Sequence, residues 1–271
     1  MDPSAKGQRL LYVSDEKNRA VYIYGPSNKL EGTLTGFFEP LGECVDAAND
    51  VWIVDSGGNE VIEYAHGSTT PISGIGTSAG DPVGCSVDPT TGDIAIGVAQ
   101  FTSAPGWLQI CTLPSRQCTI YKHTPVAYVS FVSYDKNGNL YIDGNDRNGN
   151  FVLAARAPGG NFNKITIQGA TIRAPAAIVN KFGVLSLGQG AAGTSTIYRL
   201  APDGTVTGST NLSKADDCTQ FAISGNLKYA RVTCPNLGGN VTKYQYPAGG
   251  NPVVTISGQF SEPYAAVYSN P

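Results

Sequence analysis

Charge is scarce in this chain: 14% of its 271 residues are Asp, Glu, Lys or Arg, and the net charge is −3. With no basic run and no aromatic–basic stripe, the electrostatic footprint of a nucleic-acid binder is missing, and nucleic acid is not expected as a partner. Methionine is nearly absent, with one residue, and there are two tryptophans. Histidine is limited to His66 and His123, which narrows the routes to acid–base chemistry near neutral pH. No apolar run reaches the length of a membrane span, so none is expected, and residues 1–6 lack the hydrophobic stretch of a signal peptide. An exported form of this chain is therefore expected to have lost its leader. No sustained 3.6-residue apolar period marks a long amphipathic helix. No Gly-x-Ser-x-Gly elbow, His-Glu-x-x-His helix, phosphate-binding glycine loop or Cys-x-x-Cys zinc spacing occurs.

What the chain has instead is turns, strand-forming aromatics and a repeat. It holds 33 Gly, 17 Pro, 14 Tyr and 9 Phe. Val45-Asp46, Val87-Asp88, Tyr134-Asp135, Val179-Asn180, Ile223-Ser224 and Tyr268-Ser269 hold the same place in successive units, at steps of 42, 47, 45, 44 and 45 residues. A period near 45 residues with several short strands per unit predicts an all-β fold, a six-bladed β-propeller of four-stranded antiparallel blades. The whole chain, 1–271, is expected to form a single propeller domain.

The second unit shows how a blade is written. Residues 42–47 read as the innermost strand, 50–55 as the next, 60–64 as the third and 70–74 as the outer edge, separated by Gly-, Asn- and Ser-containing turns. Apolar residues on both faces of Val51-Trp52-Ile53-Val54 suit a sheet packed between two others. Residues 1–9 read as a polar tail. The first unit lacks an innermost strand, whereas the last has one too many. The segment 263–269 is therefore expected to complete the first blade and close the ring.

Six cysteines suit an oxidising compartment, secreted or periplasmic. Cys111 and Cys118 flank a tight hairpin and are predicted to pair, as are Cys218 and Cys234 on neighbouring strands. Cys44 and Cys85, on innermost strands of adjacent blades, are placed for a third bridge; a free buried pair or a redox site is the alternative.

Pro40-Leu41-Gly42-Glu43-Cys44-Val45-Asp46, Asn49-Asp50-Val51-Trp52-Ile53-Val54-Asp55 and Asn59-Glu60-Val61-Ile62-Glu63-Tyr64, with a second copy starting at Pro82-Val83-Gly84-Cys85, resemble six-bladed propellers of the NHL-repeat type. More loosely, they are similar to the virginiamycin B lyase and gluconolactonase propellers. Those relatives include enzymes, ligand binders and protein platforms, so the resemblance implies a blade rather than a chemistry. It implies a metal role for Glu43, although Cys44-Val45-Asp46 follows it where gluconolactonases have Gly-Pro and an aromatic. It also implies that His123 with Glu43 would be the available proton-transfer pair of a lyase.

The mouth of the channel is expected where innermost strands begin and second strands turn into third ones. Glu43, Asp55, Asn59, Asp143, Asn145, Asp146, Asp216, Asp217, Gln220 and Glu262 fall there. Asp15, Asp55 and Asp143 are expected mainly to bond their own turns. Glu43, Asp216, Asp217 and Glu262 form a candidate site for Ca²⁺ or Mg²⁺. Phe101, Trp107, Tyr128 and Tyr264 form a candidate aromatic rim, with blade packing as the alternative. His66 reads as a surface turn residue. The expected function is a secreted, monomeric, non-catalytic propeller binding a small molecule, glycan or protein at the channel mouth. The alternative is a metal-dependent, lactonase-like hydrolase or a lyase using channel carboxylates.

Overall fold

Each repeat folds into one four-stranded antiparallel sheet, and the computed structural model contains six of them. It describes residues 1, 3–78, 80–100, 105–113, 115–226 and 230–271. Blade one holds β1 (Leu10–Asp15), β2 (Ala20–Tyr24) and β3 (Leu30–Thr35). Blade two holds β4 (Pro40–Val45), β5 (Val51–Asp55), β6 (Glu60–Tyr64) and β7 (Pro71–Gly76). Blade three is β8 (Asp81–Val87), β9 (Ile94–Ala99), β10 (Trp107–Thr112) and β11 (Gln117–Tyr121), and blade four is β12 (Tyr128–Tyr134), β13 (Leu140–Asn145), β14 (Phe151–Arg156) and β15 (Asn163–Ile165). Blade five follows with β16 (Pro175–Lys181), β17 (Val184–Gln189), β18 (Thr194–Leu200) and β19 (Val206–Ser213), and blade six with β20 (Ala222–Ser224), β21 (Arg231–Asn236), β22 (Asn240–Gln245) and β23 (Val254–Ser257). The last strand, β24 (Pro263–Ser269), takes the innermost place of blade one, giving the order β24-β1-β2-β3.

Burial follows position in the blade. All five residues of β5 are buried, because each face of that sheet meets a neighbouring sheet. The outer strands β7 and β11 are mostly exposed, as edges facing water should be. The innermost strand of blade two starts two residues earlier than its sequence pattern suggested, since Pro40 pairs with Asp55 across a register shift that ends at Glu43.

The ring is closed by backbone pairing and tied further by side chains. Leu11 pairs with Tyr268, Tyr12 with Val267 and Val13 with Ala266. The Ser14 hydroxyl accepts from the Ala265 N–H (3.0 Å) and donates to the Leu41 carbonyl (2.5 Å), joining blade one to blade two. At the other end of β24, the Ser269 hydroxyl donates to the Asn49 carbonyl, and His66 Nδ1 lies 2.6 Å from that oxygen. His66 is thus a partly buried clamp on the closing strand rather than a surface turn residue. The first nine residues are not simply a polar tail: Pro3–Gly7 forms a 3-10 helix, and Ala5 is fully buried.

All three anticipated disulfides are present, Cys44–Cys85, Cys111–Cys118 and Cys218–Cys234. Such bonds fit an oxidising compartment. Among the described residues no helix is long and apolar enough to cross a membrane.

Of the second-strand acids, Asp15 bonds its own turn as expected, and all three also reach the innermost strand or the segment leading into it. Asp55 accepts from the N–H groups of Phe38 and Glu39, in the segment leading into β4. Asp15 accepts from Ser261 and Glu262 ahead of β24 as well as from Asn18 in its own turn. Asp143 accepts from Phe131 N–H within β12. In these three blades the carboxylate ties the second strand to the innermost strand or its approach, satisfying backbone donors that the ladder leaves unpaired.

Candidate functional site

The six innermost strands surround a cavity of about 460 Å³. Its wall runs from the middle of those strands to their C-terminal ends, reaching Val45, Val87, Tyr134, Lys181, Gly225 and Asn270. The open end is therefore opposite to the one expected from the sequence.

The end where the innermost strands begin is filled by side chains. Leu41, Val83 and Ala99 are buried there, and Tyr264 packs against them. Tyr264 also touches the cluster containing Phe131, Ala177 and Phe221, so one ring bridges both sides of the closed end. Burial, with smaller contributions from the charges of Glu16, Asp143 and Glu39, pushes the Tyr264 hydroxyl above its ordinary range. Beneath it, Gln220 reaches from blade six to blade two. Its Nε2 donates to the Glu43 carbonyl (2.5 Å) and its Oε1 accepts the Glu43 N–H (3.1 Å). Its own backbone N–H donates to Tyr264 O, and its carbonyl accepts from Ala266. Gly42 allows this convergence: a Cβ there would sit 2.5 Å from Val83 O and 2.9 Å from Gln220 Oε1.

Glu43 dominates the interior. It is 1% exposed, it lines the cavity, and neither carboxyl oxygen has a hydrogen-bond partner. Burial raises its carboxyl well above the usual range, and the nearby Val267 N–H offsets this only in part. Arg9, stacked 4.0 Å over the Tyr268 ring, and Lys181 line the open end. Asn180, which precedes Lys181 in β16, has its Nδ2 buried and unpartnered.

Of the residues singled out from sequence, Glu43 and Gln220 are brought together in the channel, whereas the others are dispersed. Asp216 is exposed and accepts from Gly193 N–H, and Asp217 adopts a left-handed backbone with φ 47° in the same connection. Glu262 sits ahead of β24, its carbonyl accepting from Glu16. These three acids do not line the cavity with Glu43, so the proposed four-carboxylate site for Ca²⁺ or Mg²⁺ is not assembled. Among the described residues, the acids near enough to share an ion are Asp46, Asp50 and Glu63 on the outside of blade two. Asp46 accepts from the Ala48 N–H and the Trp52 indole, Asp50 from the His66 N–H and Glu63 from the Ser73 hydroxyl.

His123 is exposed in a separate depression with Arg156 and Phe162 and is not part of the Glu43 cavity. The lyase-type pair is therefore also not formed. The aromatic rim is dispersed as well. Trp107 is buried between blades two and three, its ring filling the space beside Gly80. Tyr128 is half-buried opposite Asn145, and Phe101 lies outside the described residues. Asn145 and Asp146 form a turn in which Asp146 accepts from Asn148 and Asn150, and Asn59 adopts φ 56° in the turn after β5. Nothing in the sequence singles out Arg9, Asn180 or Lys181, and an Asn-Lys pair ending β16 offers no motif by which to find them.

No family model matches the chain, and no curated protein does. Among solved structures, a chain of a nidogen/laminin complex superposes with a TM-score of 0.76 at 12% identity, covering 96% of this chain and 98% of that one. The six-bladed propeller is the shared feature. A protein of unknown function from Bacteroides caccae aligns with a TM-score of 0.71 at 11% identity, over 97% of this chain and 100% of its own. At such identities the likeness concerns architecture.

Proposed function

We propose that this protein is a secreted or periplasmic binding propeller that holds a small polar molecule in its one-ended channel. One observation carries the proposal: the six innermost strands enclose a cavity of about 460 Å³, and Glu43, whose buried carboxyl has no partner, stands in its wall. Volumes of this size suit small ligands, and a few convergent polar groups in such a site fix orientation. A buried polar group without a partner costs about 1–3 kcal/mol, a cost that a complementary ligand would remove. The NHL-like blade grammar of residues 40–64 supports a ring scaffold for such a site, and the three disulfides support an exported setting.

The test is a thermal-shift panel of sugars, amino acids, carboxylates and amines on the wild type and on Ala222→Trp, which fills the channel from its wall. Binding raises the melting temperature by mass action. A shift present in the wild type and lost in the filled variant is the expected result. No shift from any class, or shifts that survive the filling, would remove the channel from consideration.

A further inference from the structure

Another depression, of about 670 Å³, lies away from the channel, where the outer edge of blade three meets blade four. Its wall is made by the end of β11 (Ile120 and Tyr121), the connection 122–125 and, from blade four, Arg156 with residues 160–162. Arg156 and Lys122 line it together with His123, and no Asp or Glu does, so the charge it presents is positive. Lys122 and His123 are exposed. Among the described residues none of these three side chains pairs with an acid.

Arg156 is the fixed point of this surface. Its Nε donates to the Gly160 carbonyl (2.9 Å), and its Cζ lies 4.7 Å from the centre of the Tyr121 ring and 5.9 Å from that of Phe162. All three partners line the depression, so the guanidinium stands in it. The ring contacts and the Gly160 bond hold its orientation. Its two terminal nitrogens make no hydrogen bond with the protein, and neither is closed off from solvent. Arg199 provides the contrast: it lies 5.9 Å from the Tyr246 ring, but its terminal nitrogens donate to Thr210 and Ser209.

We propose that this depression is a binding site, separate from the channel, for a small organic carboxylate with an apolar or aromatic body. The two terminal N–H groups of a held guanidinium match the two oxygens of a carboxylate, and such charge-assisted pairs are stronger than neutral ones. The Lys122 ammonium adds attraction for the same charge. Ile120 is 39% exposed, and Tyr121, Pro125 and Phe162 are half-buried, so the depression also offers apolar surface to the body of the ligand. A bare anion would leave that surface wet, and a neutral ring compound would leave the fork of Arg156 without a partner. The volume suits a molecule of this size.

Titration of the ¹⁵N-labelled protein with phenylacetate, acetate and benzyl alcohol, followed by backbone amide NMR, reads both affinity and place. Phenylacetate is expected to move the amides of residues 120–124 and 160–162 and to bind roughly ten-fold or more tightly than either other probe, equivalent to about 1.4 kcal/mol. Arg156→Gln should bring phenylacetate down to the level of benzyl alcohol, and Lys122→Gln should weaken it about three-fold. Lys122 is exposed, so its variant and the order of the three probes test the site even if Arg156→Gln folds poorly. Equal binding of the three probes, affinity untouched by both substitutions, or no movement at 120–124 would overturn the site. Shifts confined to the innermost strands would place the carboxylate in the channel instead, overturning this site while supporting the channel.

Discussion

The same six innermost strands make a closed end and an open end of the channel, and the difference lies in side-chain size and polarity. At the closed end Leu41, Val83, Ala99 and Tyr264 converge, and Gln220 spans from blade six to blade two. At the open end the strands finish in Val45, Val87, Asn180 and Lys181, which leave space between them. A ring of pseudo-symmetric blades thus acquires a direction from a few positions where the repeat is broken. Polar groups in the wall differ as well. Gln220 has both amide functions satisfied, whereas the buried Glu43 carboxyl and Asn180 Nδ2 do not.

The strand β24 supplies both ends, with Tyr264 near its start and Tyr268 near its finish. Removing residues 263–271 should therefore erase the distinction altogether. The variant is expected to lose the cooperative unfolding transition in circular dichroism, because β1 would be left with an unpaired inner edge. A sharp melt within a few degrees of the wild type, on the order of 1–2 kcal/mol for a domain of this size, would show that closure is dispensable.

A smaller change attacks the closed end alone. Tyr264→Ala should destabilise the protein by about 2–4 kcal/mol in urea titration, in the range of large-to-small core substitutions. It should also open the channel at both sides, so a small molecule held there would dissociate faster. Unaltered stability would mean that Tyr264 merely lies over a plug made by its neighbours.

The smallest effect concerns Asp143, the buried acid on the closed side. Burial raises its carboxyl well above the usual range, outweighing the Phe131 N–H that favours the anion, and its Oδ2 has no partner. A carboxyl whose folded value exceeds its unfolded value of about 3.9 favours the folded state fully only below that pH. Its contribution is lost as pH rises from about 4 through the raised folded value. Asp143→Asn keeps an acceptor for Phe131 and does not ionise, so its melting temperature should exceed that of the wild type at pH 8 by more than at pH 4. An advantage that is constant with pH would show that Asp143 ionises freely in the folded protein.

Much of the architecture was legible because it depends on period and pairing. The Val45-Asp46 to Tyr268-Ser269 series counts blades, and the extra segment at 263–269 has no other place to pair. Cys111 and Cys118 face each other because the hairpin register demands it. The site was less legible because it depends on three-dimensional filling. Tyr264 reads equally well as a rim aromatic or a stopper until Leu41, Val83 and Ala99 are seen around it. Asp143 looked like Asp55 in sequence. It lies three residues into β13, however, where Val54 stands in β5, so its carboxyl meets Phe131 inside β12, whereas that of Asp55 meets the segment ahead of β4. Glu43 and Gln220 were identified, but their relation was not, since nothing local connects residues 177 positions apart.

The bond from Ala265 N–H to Ser14 Oγ spans 251 positions. During synthesis, then, the first blade waits with a bare inner margin until nearly all of the polypeptide has emerged, and the final register search is the most remote in the chain. Folding conditions that slow release of the last segment should lengthen the period in which that margin is open to pairing with another nascent copy.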